Sequence, residues 1–183
     1  MRRDTYHHGD LKAVILAEAA ALVAQRGADG ISLRELARAA GVSHAAPAHH
    51  FTDRRGLFTA LAAQGWRLLA DALADARPDF IAAALSYVRF ALDHPGHYAV
   101  MFDRALTNPD DTELLAARAA AGAELSRGVD TLKDSRAQAD PHYAALAAWS
   151  LVHGFVMLEL NRAIAPKDPI AAVEKIALML FEG

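Results

Sequence analysis

Forty-three of the 183 residues are alanine, and no other feature narrows the fold so far. Alanine is the best helix former and a poor strand former. Only seven prolines and eleven glycines punctuate the chain. The expectation is an all-α protein, with a large β-sandwich or a parallel α/β sheet all but excluded. Apolar residues at 54% against 22% charged argue for a packed core rather than a disordered chain. The length suits one large domain or two small ones. No cysteine is present, which removes disulfides, cysteine nucleophiles and thiolate zinc sites together. The N-terminus, Met1-Arg2-Arg3-Asp4, leads into polar residues rather than an apolar h-region. No apolar run reaches about eighteen residues. The reading is therefore a cytoplasmic protein with no secretory leader and no membrane partner.

Charge is distributed unevenly. The net charge is −3. Residues 1–60 carry eight Lys/Arg against six Asp/Glu, a net of +2, and five of the nine histidines. Residues 61–183 carry eleven Lys/Arg against sixteen Asp/Glu, a net of −5. A mildly basic head on an acidic body suits a protein that meets a polyanion at one end.

Apolar spacing and capping signals predict about nine helices. Residues 1–9 read as a polar arm. A first helix runs from Asp10 to Arg26 with Leu11, Val14, Ile15, Ala19, Leu22 and Val23 as its stripe. Ser32 caps a second, and Glu35 three residues later completes a capping box. Gly41 ends it. A short third helix spans Ser43 to His49, and Asp53 caps a fourth through Ala76. Pro78 opens a fifth. His94-Pro95-Gly96-His97 reads as a break before a helix from Tyr98. A seventh spans Asp111 to Lys133, and 134–140 reads as a loop. Pro141 opens a long apolar helix through Ile164, and Ile170 to Phe181 form the last. The natural division is 1–60 and 61–183, with the fourth helix as the joint.

The most informative stretch is Ser32-Leu33-Arg34-Glu35-Leu36-Ala37-Arg38-Ala39-Ala40-Gly41-Val42-Ser43. Two short helices meet at a glycine, Ala37 permits close contact, and Val42 fills the space between them. The hairpin is compatible with a plain helical bundle. It is also the geometry that exposes a second helix to a major groove about 12 Å wide. Ser32 and Ser43 stand where helix N-termini can meet phosphates.

These residues, with Tyr6-His7-His8-Gly9-Asp10-Leu11, Gly27 to Ala37, Gly41 to Pro47, His50-Phe51, Asp53-Arg54, Leu57 and Phe58, resemble the TetR family of transcriptional regulators. The body resembles the subgroup named for a Trp-His-Gly pattern, here Trp149, His153 and Gly154. The resemblance implies an N-terminal three-helix head, with the helix-turn-helix at about 32–51, joined by helix 4 to a C-terminal bundle. That bundle dimerises through its last two helices. It implies that Ser43, His44, Pro47 and His49 face the groove, with His50 near the DNA backbone. It places Arg54 where the family usually has a phosphate-contacting Lys. One departure is Ala48, which stands where most members have a phosphate-reaching Tyr. Arg2, Arg3 and Lys12 are candidates for arm and backbone contacts. The partners implied are a palindromic operator in double-stranded DNA, a second copy of the chain and a small-molecule effector, with no cofactor.

In the body, Tyr98, Phe102, Trp149, His153 and Met157 are candidates for an apolar or aromatic effector site. A core role for His153 fits its position as well as a ligand role. His94 and His97 have an i, i+3 spacing, but Pro95 and Gly96 lie between them and no third ligand is close in sequence, so no metal site is expected. No phosphate loop, dinucleotide fingerprint or H-E-x-x-H pattern occurs, and an enzyme is not expected. A helical interaction module with weakened DNA binding is the alternative.

Overall fold

The computed structural model describes the backbone of residues 8–180 and side chains from Leu11 to Leu180. Residues 1–7 of the polar arm, with Arg2 and Arg3, and Phe181 lie outside the described positions; the first helix begins at His8, so the predicted start at Asp10 and the arm through residue 9 are corrected by two residues. Among the described residues there are ten helices and no strand. They are α1 (His8–Arg26), α2 (Leu33–Ala39), α3 (Ala46–Phe51), α4 (Arg54–Asp75), α5 (Phe80–Asp93), α6 (Pro95–Met101), α7 (Thr112–Val129), α8 (Ser135–Ala139), α9 (Pro141–Leu160) and α10 (Pro169–Leu180).

The chain forms two compact units, one of residues 1–65 with 94–115, the other of 66–93 with 116–183. In the first, α1 packs against α2, α3 and α6. The predicted stripe of α1 supplies Ile15, Ala19 and Val23 to the core, and α2 supplies Leu36 and Ala37. The head thus shares its unit with α6 and the loop that follows. Gly96 shows why. A Cβ built on it would stand 2.0 Å from the carbonyl oxygen of Ala20, so only glycine lets α6 lie this close to the α1 backbone. The predicted break at His94–His97 is corrected on the same ground. Pro95 opens α6, and Gly96 serves a close approach rather than a stop.

In the second unit, α5 packs against α9 and α10, and α9 against α8 and α10. Tyr87, Val88, Val152, Phe155, Val156 and Val173 are buried there. Four predicted boundaries shift. Residues 134–140 are not a loop: the Asp134 carboxylate accepts from the Arg136 amide at 2.8 Å and starts α8. Helix α9 ends at Leu160, where Asn161 caps it and Arg162 takes a φ of 56°. Helix α7 ends at Val129 rather than Lys133. Asp79, not Pro78, starts α5 by accepting from the Ala82 amide at 2.9 Å.

Helix α9 is also long and apolar enough to cross a membrane by length and composition alone. That corrects the reading that none would be. Ser150, His153 and Glu159 interrupt its apolar run without lowering its average below that threshold.

His97 is buried in the first unit, with Nε2 at 3.0 Å from Gln64 Oε1. Burial, aided by the neighbouring His94, lowers its pKa from 6.5 to about 4. The unfolded chain therefore takes up a proton at a higher pH than the folded one. The stability this neutral imidazole contributes is complete above pH 6.5 and falls as pH drops toward 4. The loss from this group amounts to at most about 3 kcal/mol. Urea denaturation of wild type and His97→Gln at pH 7.5 and 4.5 is expected to show a smaller pH-dependent loss in the variant; equal losses would contradict this assignment.

Candidate functional site

The head is built from two capped turns. Ser32 Oγ accepts from the Glu35 amide at 3.2 Å and starts α2. The Glu35 carboxylate meets Arg26 at 2.5 Å, which ties α2 to the end of α1. Gly41 reverses the chain with a φ of +66°, and the Val42 amide returns to the Ala37 carbonyl at 2.9 Å. Helix α3 then begins at Ala46, three residues later than the sequence predicts. Pro47 explains the delay. It occupies the first turn of α3, where the missing N–H removes no helical bond, so the helix starts around it.

The predicted DNA-contacting residues fall into two groups. Ser32, Ser43, His44 and His49 are exposed, as are Ala45 and Ala48. Ser43 and His44 lie in the turn before α3 rather than within it. Pro47 is buried, like Phe51 on the same helix, so it shapes the turn and does not stand with the exposed set. His50 is half-buried with its ring against Phe51. It lines an open cleft of about 500 Å³ that also takes in Lys12, Asp53, Arg55 and Glu113.

Arg54 has a task the sequence does not disclose. Its Nε donates to the Ile31 carbonyl at 3.0 Å and its Nη2 to the Ala28 carbonyl at 2.8 Å. Its guanidinium carbon lies 4.7 Å over the Phe58 ring. Helix α4 is thereby fastened to the turn between α1 and α2. At the same end, Asp53 caps α4 by accepting from the Gly56 amide at 2.7 Å. A Cβ on Gly56 would lie 2.0 Å from the Phe51 carbonyl oxygen, so glycine is required there for α3 to abut α4.

Two arginines of α2 stand beside the exposed turn into α3. Arg34 and Arg38 are both exposed. Together with Ser32, Glu35 and His44 they line one open cleft of about 580 Å³. The signal was their i, i+4 spacing, which puts both on one face of α2. The exposed surface of α2, of the turn into α3 and of α3 itself thus presents two permanent cations, two hydroxyls and two imidazoles. This chemistry suits phosphate and base-edge contacts. Among the described residues no group of three or more His, Asp or Glu is placed to hold a metal ion.

The effector candidates are divided between the units. Tyr98 and Phe102 belong to the first, with ring centroids 5.1 Å apart and Tyr98 buried. Trp149, His153 and Met157 belong to the second. Met157 is exposed, as are Leu158 and Leu160 on the same helix. Trp149 and His153 converge on Tyr87, a residue the sequence reading missed. Trp149 Nε1 donates to Tyr87 Oη at 3.2 Å, and the Tyr87 hydroxyl lies 3.1 Å from His153 Nδ1. Burial lowers the His153 pKa, which keeps the imidazole neutral and Nδ1 able to accept. The Trp-His spacing on α9 therefore has a physical basis: i and i+4 lie on one face and share one buried phenol of α5.

Comparison with known proteins now bears on both parts. Residues 15–61 match the family model for bacterial regulatory proteins of the tetR family. Residues 80–180 match the tetracyclin repressor-like C-terminal domain. The chain belongs to the TetR family. A structure of a protein of unknown function from Rhodococcus sp. RHA1 is 34% identical, with a TM-score of 0.78 over 97% of each chain. The TetR-family regulator PfmR from Thermus thermophilus shares the fold, at 20% identity and a TM-score of 0.72 over 92% of this chain and 94% of that one. An uncharacterized HTH-type transcriptional regulator of Mycobacterium tuberculosis is 35% identical over 98 residues. That match spans 54% of this chain and 44% of the relative, so the chain covers less than half of that protein's length. This TetR-family chain thus joins the family's N-terminal and C-terminal domains in one chain.

The relay in the body is testable by a double-mutant cycle. Tyr87→Phe and His153→Phe should each destabilise the protein by about 1–3 kcal/mol, since each breaks the part-buried hydrogen-bonded cluster around the Tyr87 hydroxyl. The double variant should lose clearly less than the two single losses added together. Strict additivity in urea denaturation would show that the two residues do not act through one another.

Proposed function

We propose that this TetR-family chain is a homodimeric repressor that occupies a short palindromic operator and is released by a small apolar or aromatic molecule. Residues 1–60 are its DNA-binding part, and residues 61–183 bind the effector and the second copy. Its place of action is the cytoplasm. The body belongs to the Trp-His-Gly subgroup, a reading supported by the shared Tyr87 contact of Trp149 and His153.

The observation that carries the DNA-binding surface is the exposed row of Ser43, His44 and His49 beside the cleft of Arg34 and Arg38. Ser43 and His44 read base edges, Ala45 and Ala48 offer contact to thymine methyls, and Arg34, Arg38 and Ser32 hold phosphates. His50 lies nearer the DNA backbone. Pro47 acts by fixing the start of α3. Arg54 acts first by holding the α1–α2 turn. Any contact it makes with phosphate adds to that.

Dimerisation is supported by an apolar surface that water does not favour. Leu158, Leu160, Ile176, Leu178 and Met179 on α9 and α10 are exposed, Met179 by 84%. Large apolar side chains left in water on both of the last two helices mark an association surface. Two heads about 34–36 Å apart then match half-sites one helical turn apart. Helix α4 is the route of coupling. Its Arg54 end is fastened within the head, and its Trp66 belongs to the body. A ligand that binds the two states of this helix unequally shifts operator affinity by a coupling free energy of about 1–3 kcal/mol.

The test is equilibrium binding to an operator duplex and to a random duplex of equal length. Ser43→Ala and His44→Ala should each weaken operator binding by about tenfold, the loss of one base contact, with little change on random DNA. Arg54→Gln should weaken both. Equal losses on the two duplexes for all three variants would overturn the groove assignment. No binding of wild type to either duplex would favour an interaction module in place of a DNA reader.

A further inference from the structure

The second unit holds an open groove of about 250 Å³ on α4, α7 and α9. Its lining includes the chain's only two tryptophans, Trp66 and Trp149, with Leu125 and Leu146 as further apolar walls. Two basic side chains, Arg118 and His142, also line it, and no acidic one does. Arg118 is exposed, and its guanidinium carbon stands 6.0 Å from the centre of the Trp66 ring. Among the described residues no carboxylate pairs with Arg118. The neighbouring acid on α7, Glu124, is already engaged by Arg77 at 2.9 Å and by Arg127.

The groove therefore combines aromatic walls with an unneutralised cation. We propose that it binds a small organic acid, with an aromatic or branched apolar body against Trp66 and Trp149 and a carboxylate on Arg118. A guanidinium takes a carboxylate through two parallel N–H bonds, a geometry that an amide or an amine does not reproduce. The indole face beneath Arg118 holds the cation in place by a cation–π contact. The volume lies just under the usual range of about 300–1,000 Å³ for ligand sites, which fits a one-ring acid and not a long-chain or coenzyme-sized molecule. Trp149 is a suitable wall because its N–H is anchored on the buried Tyr87 hydroxyl, so the ring is held in position before a ligand arrives. This inference deepens the effector reading above and rests on it for its biological meaning, though not for its chemistry.

The two tryptophans make the groove report on itself. Phenylacetate, 3-phenylpropionate and 4-phenylbutyrate are titrated against the full-length protein, each beside its amide and its amine, and tryptophan fluorescence and calorimetry are read. At least one acid is expected to bind saturably and at least tenfold more tightly than its amide, with the amine weakest. Arg118→Gln should reduce the acid to the affinity of its amide and leave amide binding within twofold. Gly122→Leu should abolish binding by filling the groove. Its Cβ meets nothing within 4 Å and glycine is a poor helix former, so α7 is expected to stay folded, as circular dichroism would verify.

Acid and amide binding equally, a preference that survives Arg118→Gln, or no saturable binding of any acid would each overturn the proposal. The same acids added to the operator complex separate it from the wider reading. An acid that binds through Arg118 without changing operator affinity leaves the groove assignment standing and removes its role as effector site. Release of the operator by a neutral compound alone leaves the effector reading standing and removes the acid.

Discussion

The head depends on what happens at the first turn of α4. Three contacts converge there within a few residues: the Asp53 cap, the Gly56 approach to the Phe51 carbonyl, and the Arg54 bonds to the carbonyls of Ala28 and Ile31. The Asp53 cap satisfies a backbone donor in the first turn of α4, where helix donors lack intrahelical partners, and Arg54 satisfies two carbonyls of the α1–α2 turn. Together they fix α3 and the α1–α2 turn against the same helix. A helix of only six residues, as α3 is, has little intrinsic stability. Its position is set by these tertiary contacts rather than by its own propensity. Ala45 and Ala48 are exposed and contribute little packing, which makes the carbonyl latch the more necessary.

In the second unit one buried phenol plays a comparable part. Tyr87 is fully buried on α5, and its hydroxyl must find partners. It accepts from Trp149 and stands against Nδ1 of His153, so a single hydroxyl orders two side chains of α9. That choice fixes the rotation of α9. With Trp149 and His153 turned toward α5, Tyr143, Leu146, Met157, Leu158 and Leu160 are left in the open. The exposed apolar side chains of α9 and the aromatic wall of the groove are thus consequences of one hydrogen-bonded cluster.

The sequence made much of this legible, for physical reasons that also explain what it hid. Helices α1, α2 and α4 were readable because their apolar spacing and their Ser32 and Asp53 caps agree. The start of α3 was not, because Ser43 looks like a cap while Pro47 determines where helical bonding can begin. Gly96 reads as a breaker in any local rule, and only the α1 backbone opposite shows that it is a contact residue. Asp134 gave the one local sign of α8, a capping carboxylate, amid residues of weak periodicity. Among the candidate site residues, Ser43, His44 and His49 are exposed, whereas the inward turn of Pro47 could not be read from local spacing. Tyr87 and the carbonyl bonds of Arg54 join positions 62 or more and 23 or more residues apart, a range at which spacing carries no signal.

Specific recognition of a paired DNA site is tested by selection on DNA from the protein's own source. Purified protein is equilibrated with sheared genomic DNA at two salt concentrations, and the retained fragments are sequenced. Enrichment of one or a few fragments that share a short inverted repeat and persist at the higher salt is expected. Retention should weaken overall as salt rises, because phosphate contacts release counterions. Retention without any shared sequence, lost entirely at the higher salt, would contradict it.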